Sequence, residues 1–354
     1  MYRIGLGVPS ALRRPLFLVR DTVRLFGFYG GRQSRQYMRF VRECESRPGH
    51  LRDKIAELDA KVTAGSLLSY YVMPSAGAKE GMFQQVNALV HLHLIMALLQ
   101  GRVPVVDMQG EKNQYLAADK VGSENSWEYF FEQPYNGIGL GSIPSRADVV
   151  HGHFRTHWGV WKGVPARDFG MRDETRGDLY MLCERFVRPN TVTARTIEEN
   201  RQALFSSGDT VLGVVIRETD YALQMEHHSP ADGQIDYTAQ IRGALRRHGC
   251  NSIFVATESR TVFDSVSAAF PGIARTNPRE FYDRYYQDRE DGRALVLADV
   301  RHDRDNDEYL RGLEYVTTVF LLAGCDVLLG TRSGAFTAAQ YLNGGAYRHV
   351  STWA

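Results

Sequence analysis

The chain has little cysteine, no long apolar run and no excess of charge of one sign. Its four cysteines stand singly, without a CxxC pair, which argues against a zinc ribbon and against a disulfide scaffold. No segment approaches the ~18 consecutive apolar residues of a membrane span. The 42 basic residues nearly balance the 41 acidic ones, so charge alone favours neither nucleic acid nor a strongly acidic partner. With no recognisable cleavable signal sequence, we expect a globular protein of a reducing, cytoplasmic compartment.

Basic charge is nevertheless concentrated near the amino terminus. Ten arginines lie between Arg3 and Arg47, against only Asp21, Glu43 and Glu45. Interleaved leucines and phenylalanines allow an amphipathic helix on an anionic membrane surface, which predicts peripheral membrane contact. The alternative is a helix that packs on the body of the protein with a solvated face. No aromatic-basic module accompanies the arginines, so we expect no nucleic-acid partner.

Strand and helix patterns alternate along most of the chain. Strands are predicted over residues 66–73, 103–108, 211–216, 252–256, 295–298 and 327–330, and helices over 51–62, 83–100, 193–205, 237–247, 308–323 and from Gly334. Such alternation predicts a doubly wound parallel sheet in each half of the chain. We predict a basic helical arm over 1–62, an amino-terminal Rossmann-like domain over 63–205 and a carboxyl-terminal one over 206–354.

The middle of the chain, residues 109–189, is aromatic. Trp127, Phe130 and Phe131 lie there, followed by Trp158 and Trp161. Such side chains form either a platform on which sugar rings stack or the packing of loops between domains, and we favour packing for any single ring.

The stretch from Val211 to Tyr221, VLGVVIRETDY, is the most informative of the chain. Its apolar run without alternation is typical of a strand buried on both faces, and Arg217 falls at the carboxyl end, where open α/β sheets bind ligands. A guanidinium there can bind two phosphate oxygens without a metal. The alternative is an internal ion pair with Glu218 or Asp220.

A second turn, Thr331-Arg332-Ser333-Gly334, follows an apolar strand and precedes a helical pattern. Ser333 can cap that helix, and Gly334 lets a ligand approach backbone N–H groups at the positive helix end. Arg332 adds charge. The alternative is that serine and glycine serve the cap alone.

These residues resemble motifs of the α1,6-fucosyltransferase group, the core N-glycan and Nod-factor enzymes. Val215 to Asp220 is similar to its HVRRTD motif, and Asp326 to Gly334 is similar to its ADFLVCTFSS segment. Further matches, in chain order, are the weaker Glu80 to Val86 and Asn125 to Phe130, then Phe254 to Glu258 and Arg311-Gly312. The similarity is strongest in about the last 150 residues.

The resemblance implies a GT-B glycosyltransferase with two Rossmann-like halves facing a cleft. It implies inverting, metal-independent transfer of fucose or a related sugar from a GDP-sugar to a glycan or lipid-linked oligosaccharide, with no cofactor besides the donor. The implied donor-binding residues are Arg217, Glu258, Glu314, Thr331, Arg332, Ser333 and Gly334. The motif's histidine is Val215 here and its second arginine is Glu218, so we expect Arg332 to supply the missing phosphate contact.

Inverting transfer also needs a base for the acceptor hydroxyl. Glu226 is the first candidate, because its loop follows directly from the arginine strand, and Asp220 is the second. The alternative for Glu226 is an exposed loop carboxylate. At the level of the whole protein, the alternatives are a catalytically silent nucleotide- or glycan-binding protein on the same fold and a nicotinamide oxidoreductase.

Overall fold

The computed structural model describes residues 43, 46, 47, 49–75, 77, 79–152, 173–217, 235–287 and 297–353. Most of the basic arm, the tryptophans Trp158 and Trp161, and the candidate bases Asp220 and Glu226 lie outside the described residues. No helix in the described part of the chain combines the length and the apolar character that a membrane crossing requires.

Helices and parallel strands alternate along the chain. The elements are α1 (His50–Thr63), β1 (Tyr70–Pro74), α2 (Met82–Ala88), α3 (Leu94–Leu99), β2 (Val103–Asp107), β3 (Val149–His151), α4 (Asp173–Phe186), α5 (Thr191–Leu204), β4 (Val211–Val215), α6 (Tyr237–His248), β5 (Ser252–Ala256), α7 (Arg260–Ala269), β6 (Ala274–Arg275), α8 (Asp283–Gln287), α9 (Asp307–Ala323), β7 (Val327–Gly330), α10 (Gly334–Leu342) and β8 (His349–Thr352). A π-helical turn, Leu89–His93, joins α2 to α3. The predicted α/β class with parallel sheets is confirmed.

Two compact units make up the chain. The first takes the described residues of Met1–Ala76, Ala88–Asp107 and Gln133–Phe186, and the second takes those of Gly77–Asn87, Met108–Glu132 and Val187–Ala354. The predicted domain boundaries at 62/63 and 205/206 stay predictions.

The first unit contains a three-stranded parallel sheet in the order β2-β1-β3. Tyr70 stands opposite both Val103 and Val149 in the register. Helix α1 buries the stripe Leu51, Ile55 and Leu58, which is the face that its three- and four-residue spacing predicts.

The second unit contains a five-stranded parallel sheet in the order β6-β5-β4-β7-β8. On one face, helices α6 and α7 pack on the side chains of Leu212, Val214, Ile216, Ile253, Val255, Val327 and Leu329. On the other face, Phe254 meets Phe205, which follows α5, with ring centroids 5.9 Å apart, and a Cβ at Gly213 would lie 3.2 Å from Cδ2 of Leu322 in α9. Helical segments therefore cover both faces, which explains why the strands are apolar runs without alternation.

The strand predicted over residues 295–298 is wrong where the structure describes it. Residues Leu297–Asp299 form a short 3₁₀ turn. The carbonyl oxygen of Ala298 accepts from Arg301 Nη1 at 2.9 Å, and that of Val300 accepts from Arg311 Nη1 at 2.9 Å. The Arg301 guanidinium thus occupies a carbonyl oxygen of the predicted strand that a neighbouring strand would need.

The aromatic side chains Trp127, Phe130 and Phe131 of the second unit are fully buried. Trp127 stacks on Phe131 with centroids 4.4 Å apart, and Phe130 stacks on Tyr309 of α9 at 5.6 Å. Packing, and not an exposed sugar platform, is therefore what these three rings provide.

Candidate functional site

The strand order of the second unit has a topological switch point between β4 and β7. The chain runs from β4 to β5 and β6 on one side, then returns to β7 and β8 on the other side of β4. In open parallel sheets, ligands bind outside the carboxyl ends of the strands at such a point. The predicted residue Arg217 lies two residues after the end of β4, and Thr331 directly follows β7, so both lie there.

The two strands approach closely at this edge. Val215 stands opposite Gly330, and the N–H of Thr331 donates to the carbonyl oxygen of Val215 at 2.9 Å. A Cβ at position 330 would lie 2.5 Å from that oxygen and 2.7 Å from the Val215 Cβ. Glycine is therefore required at the last residue of β7, whatever the ligand.

Arg217 has an ionic partner inside the protein. Its Nε lies 3.6 Å from Oε1 of Glu258, whose side chain is 7% exposed against 17% for Arg217. The sequence analysis offered Glu218 or Asp220 as the alternative, internal partner of Arg217, and both lie outside the described residues. The partner in the structure is Glu258, itself a predicted donor-binding residue. Arg217 and Glu258 are thus brought together at the carboxyl ends of β4 and β5.

Thr331 lies at the centre of this edge. Its Oγ1 accepts from the backbone N–H of Arg217 at 3.4 Å and from the indole Nε1–H of Trp353 at 3.1 Å. The same indole N–H is 3.2 Å from the carbonyl oxygen of Val215. The sequence offered no signal for Trp353, because the strand that precedes it, β8, is short and half-buried.

The start of α10 has the predicted capping geometry. Ser333 Oγ accepts from the N–H of Phe336 at 3.2 Å, and the Ser333 side chain is buried. Its hydroxyl proton remains able to donate, since the cap uses the oxygen as acceptor. Arg332 beside it is exposed, and no carboxylate in the described part of the chain forms an ion pair with it.

Helix α2 packs on this turn. Asn87 Nδ2 donates to the carbonyl oxygen of Gly334 at 3.0 Å, and a Cβ at Gly334 would lie 3.3 Å from Gln84 Cγ. The stretch Glu80 to Val86, which resembles an amino-half glycine loop, therefore contributes to the same unit as α10. Gln84 belongs to that predicted stretch, whereas Asn87 lies just beyond it.

Glu314, a candidate for contact with the guanine or the ribose of the donor, forms an ion pair with an arginine. Arg304 Nη1 and Nη2 contact Glu314 Oε1 and Oε2 at 2.5 and 3.2 Å, and Arg304 Nε contacts Asp307 Oδ1 at 2.9 Å. The side chains of Arg304 and Glu314 are only partly exposed. The ligand role of Glu314 stays a prediction, and a ligand there has to compete with Arg304 or share its charge.

The Arg311-Gly312 pair has a structural role. Arg311 is buried, with Nε 3.1 Å from Asp307 Oδ2 and with donors to the carbonyl oxygens of Val300 and Gln114. A Cβ at Gly312 would overlap the ring of Phe130. The pair therefore ties α9 to two loops, which is reason enough for this dipeptide at the head of the helix.

No catalytic base is located by the described residues. Glu226 and Asp220 lie outside them, so both assignments stay predictions. Within the described ranges, no three His, Cys, Asp or Glu side chains cluster as metal ligands.

Comparison with known proteins gives structural similarity alone. No family model matches, and no curated protein matches. The chain is similar in structure to fucosyltransferase NodZ from Bradyrhizobium, at 17% identity over 77% of this chain and 93% of that one, with a TM-score of 0.43. It is similar to POFUT1 at 9% identity, covering 80% and 98%, with a TM-score of 0.47. It is also similar to a variant of Arabidopsis thaliana FUT1 in complex with GDP, at 10% identity, 89% and 78% coverage and a TM-score of 0.45.

Proposed function

We propose that this chain is a glycosyltransferase that moves fucose or a related sugar from a GDP-sugar to a glycan or lipid-linked oligosaccharide. The observation that carries the proposal is the placement of Arg217, Thr331 and the start of α10 together at the switch point of one parallel sheet. The resemblance of the same segments to fucosyltransferase motifs supports the choice of donor.

A diphosphate fits the charge and the donors of this edge. The first turn of α10 provides backbone N–H groups and the positive end of the helix dipole, and Arg332 adds an exposed cation. Arg217 adds a guanidinium that is only partly exposed, where electrostatic interactions are stronger than in water. Together these groups would neutralise a departing diphosphate without a metal.

The ion pair with Glu258 is compatible with this role. A guanidinium has five N–H donors in a rigid fork, more than one carboxylate accepts. Nε of Arg217 is the atom nearest Glu258, at 3.6 Å. Glu258 therefore orients the Arg217 side chain in the proposal and lowers the cost of holding it partly buried before the ligand binds.

The proposed reaction is a single displacement. A carboxylate, Glu226 first and Asp220 second, takes the proton of the acceptor hydroxyl while the acceptor oxygen bonds to the anomeric carbon. The bond from that carbon to the phosphate oxygen breaks at the same time, and its electron pair leaves on the diphosphate. Inversion follows because the acceptor attacks from the face opposite the leaving group.

A catalytically silent nucleotide- or glycan-binding protein is the second candidate function. Glu218, Tyr221 and Met225 stand where the resembling motif has arginine, lysine and glutamate, and these departures favour it. These departures remove two cations and one carboxylate of the motif. The same scaffold would then bind a donor without turning it over.

We place the protein in the cytoplasm, with membrane contact through the basic arm. The thiols of Cys183, Cys250 and Cys325 are free, which fits a reducing compartment. Sedimentation with vesicles of phosphatidylserine, compared with phosphatidylcholine alone, tests the membrane contact; equal binding to both would remove it.

Isothermal titration with GDP and UDP, followed by hydrolysis and transfer assays with GDP-fucose, tests the function. We expect preference for GDP, and turnover that is lost in E226Q while GDP binding is retained. Preference for UDP would remove the fucose assignment. Tight GDP binding without turnover on a panel of glycan acceptors would favour the silent protein.

A further inference from the structure

Trp353 is the residue of the switch-point edge that no motif predicts. Strand β8 pairs with β7 so that Thr352 stands opposite Gly330, and the next residues along each strand are Trp353 and Thr331. The indole Nε1–H lies 3.1 Å from Thr331 Oγ1 and 3.2 Å from the Val215 carbonyl oxygen. One indole donor is thus shared between two oxygens at the carboxyl ends of β4 and β7.

The surroundings hold the indole in place. Tyr237, the first residue of α6, meets the Trp353 ring edge-on, with centroids 4.9 Å apart and an interplanar angle of 70°. Trp353 also packs against the apolar face of the sheet that α6 and α7 cover. The ring is therefore fixed by contacts other than the two hydrogen bonds.

The two hydrogen bonds that Thr331 Oγ1 accepts leave the hydroxyl free to act only as a donor. An indole N–H and a backbone N–H are donors only, so Thr331 Oγ1 has to accept from both Trp353 and Arg217. A hydroxyl has two lone pairs and one proton. With both lone pairs engaged, the proton remains for a partner outside, and that partner has to be an acceptor.

We infer that Trp353 is a positioning residue that commits the Thr331 hydroxyl to donate to a phosphate oxygen of the sugar-nucleotide donor. Trp353 acts through Thr331 and does not itself contact the ligand. The inference rests on the proposed function, because it takes the diphosphate as the acceptor. It assigns to the centre of the switch point, beside Arg217 and α10, a hydroxyl that can only donate.

A double-mutant cycle on GDP affinity tests the coupling. Isothermal titration compares the wild type, T331V, W353F and T331V/W353F, with W353F keeping an aromatic ring and losing the N–H. The matched control is T337V, the same change six residues further along the chain, within α10. We expect T331V to weaken GDP binding on the order of tenfold, the size of one hydrogen bond to a charged group. W353F should weaken it several-fold, and the double variant no more than T331V alone, while T337V binds as the wild type does.

Failure of the Trp353 role and failure of the proposed GDP-sugar site give different results. If the wild type binds GDP but the losses of affinity in T331V and W353F add in the double variant, the inference is overturned. The same holds if W353F loses no affinity. In both cases the proposed nucleotide site is retained. Absence of GDP binding to the wild type removes the proposed function, and the inference with it.

A second measurement covers the case in which W353F does not fold. In the otherwise native protein, the ¹⁵N-labelled indole signal of Trp353 should shift in T331V, exchange faster with solvent there, and stay in place in T337V. An indole signal that T331V leaves unmoved would overturn the inference without any ligand.

Discussion

Replacement of Arg217 with methionine removes the guanidinium from the switch point and keeps a long, apolar side chain. The change acts on two quantities at once. It removes a predicted diphosphate contact, and it leaves the carboxylate of Glu258, which is 7% exposed, without the cation 3.6 Å away. Since the second effect destabilises the free protein, R217M has to be paired with R217M/E258Q, in which no buried charge is left behind.

The expected magnitudes differ between the two effects. Breaking a buried ion pair costs about 3–5 kcal/mol. The lower end applies here, because Arg217 is 17% exposed and the ions are 3.6 Å apart. The lost contact with a partly desolvated diphosphate costs roughly 2–5 kcal/mol of binding, which is roughly thirtyfold to several thousandfold in Kd.

The assay is isothermal titration with GDP at one fixed salt concentration, with urea unfolding as the stability measurement. Arg348 offers a matched control, because it pairs with Asp326 at 3.0 Å next to the amino ends of β7 and β8, away from the site. R348M should change GDP affinity by less than about 0.5 kcal/mol. If R217M/E258Q is folded and binds GDP as tightly as the wild type, the assignment of Arg217 to the diphosphate is refuted.

Three further predictions concern stability. In G330A the new Cβ would lie 2.5 Å from the carbonyl oxygen of Val215, which cannot move aside, so urea unfolding should show a loss of roughly 1–3 kcal/mol; an unchanged midpoint would contradict the close strand approach. In G312A a helical alanine normally gains up to about 1 kcal/mol, but the overlap with the buried ring of Phe130 should outweigh it, and a stabilised variant would contradict that packing. Burial lowers the pKa of His302 below its ordinary value, so its contribution to stability is present above about pH 6.5 and is lost as the pH falls below that value. The midpoint temperature of thermal unfolding should therefore fall as the pH drops below about 6.5 in the wild type, and fall less steeply in H302Q; equal slopes would refute the role of His302.

The sequence predicts the elements that are buried on both faces. Strands β4, β5 and β7 are short runs of aliphatic residues, and their bounds agree with the predicted ones within one residue. Such runs are informative because a doubly covered parallel strand has no polar face to interrupt them. The positions of Arg217 and Thr331 at the carboxyl ends of the strands follow from the same runs, so these two residues of the candidate site were predictable.

Short and partly exposed elements were not predictable. Strands β6 and β8 are two and four residues long and only half-buried, and their pairing depends on neighbours that are distant in sequence. Trp353 follows β8, so its place at the site could not be predicted either. The same limit applies to the ion pairs of Arg217 with Glu258 and of Arg304 with Glu314, which join residues on different elements.

Crystallisation with GDP tests the central claim most directly. The account predicts a diphosphate with oxygens within hydrogen-bond distance of the Arg217 guanidinium, the Thr331 hydroxyl and backbone N–H groups at the start of α10. A diphosphate bound elsewhere on the chain, with the Arg217 to Glu258 pair and the Thr331 hydroxyl untouched by ligand, would contradict it.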